Sequence, residues 1–302
     1  MGKPDIFDVI VVGGSYAGLS AAMSLGRSLR KTLIIDSGTP CNIQTPHSHN
    51  FLTNDGKTPA EISASAKKQV EFYKTVEFYK GLAVKGIKTG KDFEITTDKG
   101  DRFNSRKIIF ATGVKDIMPD IRGFSECWGI SVIHCPYCHG YEFRKETTGI
   151  LANGESAYEF SKLVYNLTKD LTIYTNGRSD LTDSQTAELK TNNIRIIETE
   201  ISEVIHTNGN IEELVFADSS TENPKALYAK IPFVQQCDIP TKLGCEMSDT
   251  GHYKADNLQK TNIDGVFVCG DNTFPMRSVS AAVFMGSMAG AAANKELAEV
   301  DF

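Results

Sequence analysis

No uninterrupted apolar run of membrane-spanning length occurs in the 302 residues. A transmembrane helix needs about 20 consecutive apolar residues, so a membrane partner is not expected. The start, MGKPDIFDVIVVGG, is too short and too soon broken by glycine for a signal peptide. A cytoplasmic protein is the expectation. There is no basic block, and the formal net charge is −6, which argues against nucleic acid as a partner. There is no disulfide framework either: the seven cysteines are odd in number and scattered over a long chain. No low-complexity stretch or long repeat is evident, only a local E-F-Y-K duplication at 71–74 and 77–80, read as an amphipathic helix running towards a strand.

What is present is an ordinary globular composition, 40% hydrophobic and 23% charged, of a length that suggests about two domains. Such domains bury a core without cross-links. Five cysteines, Cys41, Cys127, Cys237, Cys245 and Cys269, are therefore read as small buried or half-buried apolar side chains.

Asp8 to Val12 (DVIVV) suits a strand buried on both faces of a parallel sheet. Gly13, Gly14 and Ser15 follow, then Ala17 and Gly18, then a helical apolar pattern. Strand, glycine turn and helix form the context of a dinucleotide fingerprint. The next strand, TLIID, ends at Asp36, 18 residues beyond Gly18, near the usual distance for a ribose-binding carboxylate. Ser15 stands where the second glycine of the pattern is expected. It is small and adds a hydroxyl. The bland alternative is an ordinary strand-turn-helix with incidental glycines.

Further on, KIIFATGVKD gives a strand ending in Ala111-Thr112-Gly113. NIDGVFVCGDNTF gives another, ending in Gly270-Asp271. A helix rich in alanine and glycine follows Pro275, and its small residues permit close approach to another backbone or a flat ligand.

HCPYCHGYE, 134–142, contains the one C-x-x-C pair, Cys135 and Cys138. Zinc needs about four ligands, and no second C-x-x-C or H-x-x-x-H supplies the other two. Covalent haem attachment uses C-x-x-C-H but belongs to exported proteins. A thiol pair without chemistry is a further alternative. As a redox dithiol the pair makes physical sense: Pro136 favours a helix starting there, and a thiolate is stabilised at a helix N-terminus. The thiolate is the attacking species in disulfide exchange. His139 can handle a proton near neutral pH, or it is merely a solvated polar residue. Glu142 is a candidate to orient it.

Together, G-G-S-Y-A-G, A-T-G, G-D before the last helix and C-P-Y-C-H-G-Y-E resemble the low-molecular-weight thioredoxin reductase family, over essentially the whole chain. C-P-Y-C-H-G looks more like the branch with the gliotoxin-type dithiol oxidases. The resemblance implies an α/β protein with two Rossmann-like nucleotide-binding domains. An FAD domain, 1–114 and 242–302, would be interrupted by an NAD(P)-type domain, 115–241, carrying the cysteines. Gly13, Ser15, Ala17 and Gly18 would cradle the FAD pyrophosphate, Asp36 would hold the ribose, and the Val84 backbone would meet the adenine. Asn50 would contact the flavin, Thr112 and Gly113 would line it, and Asp271 would bond the ribityl chain. Ser278 and Val279 would offer backbone N–H groups to the ring. Cys138 would sit beside the flavin and Cys135 would exchange with the partner. Linkers near 113–123 and 235–243, the second with Pro240, would let the inserted domain rotate. A homodimer is implied as well.

Thr148 to Leu167 repeats the strand-turn-helix pattern with Ala152-x-Gly154-x-x-Ala157, and Gly154 and Ser156 are the candidate NAD(P) contacts. The His-Arg-Arg cluster by which the family grips NADPH is absent at 174–177, where Arg178 is the one nearby cation. NADPH or NADH therefore competes with another electron donor or acceptor: oxygen, a ferredoxin or another flavin. The leading function is electron transfer from a reduced nicotinamide through FAD and the dithiol to a thioredoxin-like protein disulfide. The alternatives are a dithiol oxidase that passes electrons from a small dithiol to oxygen, and a flavin-bearing sensor without turnover.

Overall fold

The computed structural model describes residues 6–302. Residues 1–5 of the expected first domain lie outside the described residues. The first part of the chain forms β1 (Ile6–Val12), α1 (Tyr16–Arg27), β2 (Thr32–Asp36), α2 (Pro59–Val70), β3 (Val76–Lys80), β4 (Ala83–Thr89), β5 (Asp92–Thr97), β6 (Arg102–Phe110) and β7 (Val114–Asp116). The middle forms α3 (Phe124–Cys127), β8 (Val132–Ile133), α4 (Pro136–His139), β9 (Thr148–Leu151), α5 (Gly154–Val164), β10 (Leu171–Tyr174), α6 (Asp183–Thr191), β11 (Arg195–Ile197), β12 (Ile201–Thr207), β13 (Asn210–Phe216), β14 (Thr221–Glu222) and β15 (Ala226–Ala229). The chain ends with β16 (Phe233–Gln235), α7 (Ile239–Leu243), β17 (Val266–Val268) and α8 (Val279–Asp301).

Two compact units result. One holds the chain up to Ile43, then 60–115 and 233–302; the other holds 44–59 and 116–232. The first is built on a seven-stranded sheet in the order β3-β2-β1-β6-β5-β4, with β17 also on β6. β1, β2, β3, β6 and β17 run parallel, while β4 and β5 add an antiparallel flap. β6 serves both: its first half pairs with β5 and its second half lies between β1 and β17. The apolar runs that predict two-sided burial fulfil it, since Val9, Ile10, Val11, Ile108, Ile109 and Phe110 are all fully buried. The second unit has a parallel sheet, β11-β10-β9-β15-β8, and a separate antiparallel sheet, β12-β13-β14.

Two boundaries differ from the sequence expectation. The chain returns to the first unit at Phe233, not at 242, because Ile239 of α7 is buried in that unit's core against Gly86 of β4. Residues 44–59, expected with the first domain, cluster with the second unit. The crossing segments β7 and β16 pair as a two-stranded sheet. Among the described residues, no helix is long and apolar enough to cross a membrane.

Candidate active site

Cys135 and Cys138 are joined as a disulfide, with their Cα atoms 5.3 Å apart. Pro136 opens the four-residue helix α4, and Cys135 is its N-cap. The Cys138 N–H donates to Cys135 Sγ at 3.2 Å. Such a bond favours the thiolate form of Cys135 once the disulfide opens. The turn is held from below. A Cβ on Gly140 would lie 2.3 Å from the Pro136 carbonyl oxygen and 2.7 Å from the Tyr228 hydroxyl, so only glycine lets the end of α4 settle on β15. Upstream, the single tryptophan, Trp128, stacks between Phe124 and His134, and its indole N–H donates to Asp116. Tyr137, inside the pair, and Tyr141 are exposed.

His139 is half-buried at the end of α4. Burial lowers its pKa, the neighbouring His49 lowers it further, and Glu142 works against both. The ring is therefore neutral at neutral pH and able to take a proton from a thiol. His49 lies with its ring edge-on to His139, centroids 6.5 Å apart. Its Nε2 is 3.5 Å from Glu142 Oε1 and its Nδ1 is 3.7 Å from Asp55 Oδ2. His49 was not singled out by sequence, because 90 residues separate it from His139.

The other cysteines sort by burial. Cys127, Cys245 and Cys269 are buried and Cys237 is half-buried. Burial pushes the Cys127 thiol up to about 11 and the Cys269 thiol to about 12. Cys41 corrects the reading of all five as buried or half-buried: it is exposed, with Sγ 3.9 Å from Asp271 Oδ2.

The first unit assembles the glycine turn with its surroundings. Gly13 has φ +103°, and a Cβ there would lie 2.3 Å from the Ala111 carbonyl oxygen, which fixes the turn against the end of β6. The Gly14 N–H donates to Asp36 Oδ1 at 3.0 Å. Ser15 is the N-cap of α1, yet its hydroxyl makes no capping bond, so first-turn N–H groups of α1 stay available to an anion. Val84 is the extra residue of a bulge between Ala83 and Lys85, beside Gly81, whose N–H donates to the Asp36 carbonyl. Thr112 and Gly113 follow one residue after β6, and Gly113 has φ +65°. Asp271 Oδ2 is 3.4 Å from Arg277 Nε. The Ser278 hydroxyl caps α8 by accepting from the Ala281 N–H, and Val279 begins that helix. Ala17 packs under α8, where a Cβ on Gly286 would lie 2.0 Å from its carbonyl oxygen. Asn50, with φ +58°, belongs to the 44–59 segment and hence to the other unit.

Sequence reasoning missed Asn272. It is fully buried, its amide donates to the Phe110 carbonyl at 2.9 Å, and its Oδ1 has no hydrogen-bond partner among the described residues. Its place directly after Gly270-Asp271 was the available signal.

The second strand-turn-helix is arranged differently. Asn153 is the N-cap of α5; its Oδ1 accepts from the Gly154 N–H at 2.8 Å and from the Asp180 N–H at 2.9 Å. Its Nδ2 donates to the Arg178 carbonyl. A Cβ on Gly154 would touch Asp180 at 3.4 Å. Glu155, beside Gly154, accepts from Gln185 at 2.6 Å, and Ser156 lies one residue further on α5.

Comparison with known proteins settles the lineage. The pattern of the pyridine nucleotide-disulphide oxidoreductases matches residues 7–286. The chain belongs to this family. It is 33% identical to thioredoxin reductase tcpT of Claviceps purpurea, across 98% of this chain and 96% of tcpT. It is 31% identical to thioredoxin reductase sirT of Leptosphaeria maculans, across 96% of this chain and 94% of sirT. A crystal structure of an oxidoreductase from Agrobacterium tumefaciens superposes with a TM-score of 0.91 at 36% identity, covering 98% of this chain and 99% of that one. This family member is a thioredoxin-reductase-like, FAD-dependent disulfide oxidoreductase with two Rossmann-like domains. FAD is its cofactor. The uncapped N-terminus of α1, the carboxylate at the end of β2 and the orphaned Asn272 Oδ1 fit that cofactor.

Proposed function

We propose that FAD and a thiol partner exchange electrons through Cys135–Cys138, and that electrons enter from a small dithiol and leave from FAD to oxygen. The self-capped N-terminus of α5 supports this direction. An anion site at a helix end needs unspent N–H donors. Here Asn153 takes the Gly154 N–H, and Asp180, packed on Gly154, and Glu155 in the first turn of α5 add two acidic residues at that end. The second unit would then keep the nucleotide-binding build without the dinucleotide.

In this reading the turn at Gly13, Ser15, Ala17 and Gly18, with Asp36 and Val84, would hold the dinucleotide half of FAD. Thr112, Gly113, Asp271, Ser278 and Val279 would hold the flavin half, and Asn272 is added to them. The cofactor supplies a two-electron acceptor. The chain's residues do the sulfur chemistry. A substrate thiol gives its proton to neutral His139, and the thiolate attacks Cys135 Sγ, forming a mixed disulfide and freeing Cys138 as a thiolate. The substrate's second thiol gives its proton to the Cys138 thiolate, and its sulfur attacks the substrate sulfur bound to Cys135, closing the substrate disulfide and releasing Cys135. Bound FAD would supply the acceptor for two electrons and that proton, leaving Cys135 and Cys138 as the disulfide. A homodimer in the cytoplasm completes the proposal.

The names of tcpT and sirT favour a second reading, in which a nicotinamide feeds electrons the other way to a thioredoxin-like disulfide. Anaerobic mixing of the FAD-loaded protein with dithiothreitol, NADPH or NADH separates the two. Bleaching of the flavin band by the dithiol alone is the expected result. Rapid bleaching by NADPH or NADH overturns the direction, and no bleaching by any of the three overturns the role of the pair.

A further inference from the structure

His49 lies between two carboxylates and an imidazole. Its side chain is 20% exposed, Asp55 is 65% exposed and Glu142 is 39% exposed. The exposure falls from Asp55 to His49, and His139, which directly follows the cysteine pair, is half-buried as His49 is. Nδ1 of His49 points to Asp55 and Nε2 to Glu142, at 3.7 and 3.5 Å. These are ion-pair separations, closed for proton transfer by one water or a small side-chain rotation. An imidazole with a carboxylate on each nitrogen can accept a proton on one side and release it on the other.

The backbone holds the arrangement in place. The Asn50 N–H donates to Asp55 Oδ1 at 2.7 Å, tying the carboxylate to the residue after His49. Ser48 bridges to Lys57, and its N–H donates to the Lys57 carbonyl at 2.8 Å, so 44–59 closes into a loop with His49 near its neck. The other groups facing this cluster are His47, whose ring centroid is 6.3 Å from that of His49, and Tyr228 beneath Gly140. Burial raises the Tyr228 pKa, so the phenol stays neutral and takes no part.

We propose that His49 is a positioning residue that relays protons between His139 and solvent, with Asp55 at its Nδ1 and Glu142 at its Nε2. The proposal rests on the reading of Cys135–Cys138 as the exchange pair. Oxidation of one dithiol breaks two S–H bonds and forms one S–S bond. Two electrons and one of the thiol protons would go to bound FAD, and the other proton, taken by His139, leaves through His49 and Asp55 to water. His139 must shed that proton before it can accept another, so the relay resets the base in each cycle.

The test uses FAD-loaded protein, wild type and His49→Gln, reduced anaerobically by dithiothreitol across pH 6 to 9 in water and in D2O. Loss of a proton-transfer group costs about 10²–10⁴-fold when it acts on the reacting atom, and a residue one step removed is expected to cost about tenfold. The variant rate should become sensitive to D2O, and added imidazole should restore most of it. A second readout needs no turnover: NMR titration of the His139 ring, whose midpoint should rise in His49→Gln because the neighbouring ring that opposes its protonation is gone. An unchanged rate overturns the proposal. So does a slower rate that imidazole does not rescue, with an unmoved His139 midpoint, since that marks a packing role alone. Failure of the wild type itself to bleach would instead refute the exchange-pair reading.

Discussion

Replacing Gly286 by alanine sets two physical effects against each other. Gly286 lies inside α8, and alanine in a helix interior is favoured over glycine by about 1 kcal/mol. The new Cβ, however, would lie 2.0 Å from the Ala17 carbonyl oxygen of α1, where ordinary contact begins at 3.4 Å. The helices must part by the difference, 1.4 Å, because a main-chain carbonyl cannot rotate away. Parting them loosens Ala21, Ala289 and Ala293, all fully buried. Overpacking costs about 1–3 kcal/mol, and this site belongs at the upper end. Subtracting the propensity gain leaves a net loss of about 2 kcal/mol. At this chain length that lowers the melting temperature by about 3 °C. Thermal and urea denaturation followed by far-ultraviolet circular dichroism measure the shift and the loss. Gly290→Ala, with its Cβ 2.4 Å from the Ala21 carbonyl oxygen, should behave similarly. The double variant should cost less than the sum, because one separation relieves both contacts. A Gly286→Ala protein as stable as wild type, or more so, refutes the close approach of α1 and α8.

Glu296 bridges Lys107 at 2.5 Å and Lys260 at 2.6 Å, and although burial pushes its carboxyl up, the two ammonium groups together hold it below the ordinary value. A depressed carboxylate stabilises the fold above the unfolded pKa and ceases to as pH falls through the folded one. Glu296→Gln should therefore lose about 1 kcal/mol at pH 7, and its deficit against wild type should shrink below about pH 4; a deficit independent of pH would sink the ion-pair account. Cys135→Ser should leave a Cys138 thiolate that gives the FAD-loaded protein a long-wavelength absorption band, whereas the band in Cys138→Ser instead would reverse the two roles. Alkylation of reduced protein near neutral pH should label the pair and exposed Cys41 but spare Cys127 and Cys269, whose thiols burial holds at about 11 and 12; peptide mass mapping checks it, and rapid labelling of Cys269 would contradict its burial.

The first sheet was legible because its strands are buried on both faces, and such strands read as continuous β-branched runs bounded by glycine. The order of the glycine turn, Asp36, Gly113 and Gly270-Asp271 follows from the same rule, since each marks the end of a parallel strand. The E-F-Y-K duplication was misleading in part. Its second copy is β3, but α2 stops at Val70 and the first copy forms a turn. Local pattern says nothing of which sheet a short helix joins, so the expected boundary at 242 cuts through α7, whose Ile239 lies in the core of the first unit. His49 and Asn272 were missed for different reasons. His49 acquires neighbours only through tertiary structure. Asn272 carries an ordinary polar side chain whose significance lies in being wholly buried with one oxygen unsatisfied.

The two strand-turn-helix segments show why glycine spacing alone is a poor guide to ligand binding. Both run from a parallel strand through a short turn into a helix of 11 or 12 residues, with a glycine in the turn or at the helix start. What separates them is the residue before the helix. Ser15 leaves its capping position unused, so the N–H groups of α1 hold their donors in reserve for a phosphate. Asn153 spends its carbonyl oxygen on Gly154 and Asp180 and its amide on Arg178, which takes the first N–H of the helix and ties its cap to the 178–180 loop. A ligand that takes the Gly154 N–H at α5 must displace the Asn153 carbonyl oxygen, a hydrogen bond worth about 1 kcal/mol net, at an end that also carries Asp180 and Glu155. A ligand at α1 breaks none at the cap. Asn153→Ala together with Asp180→Ser removes that barrier without touching α1 or the cysteine pair. If the cap is what excludes a dinucleotide, the double variant should gain NADPH binding by equilibrium dialysis while its FAD content stays unchanged. Binding by the wild type as tight as by the variant would show that the loop yields freely, and the case for electrons entering from a dithiol would fall with it.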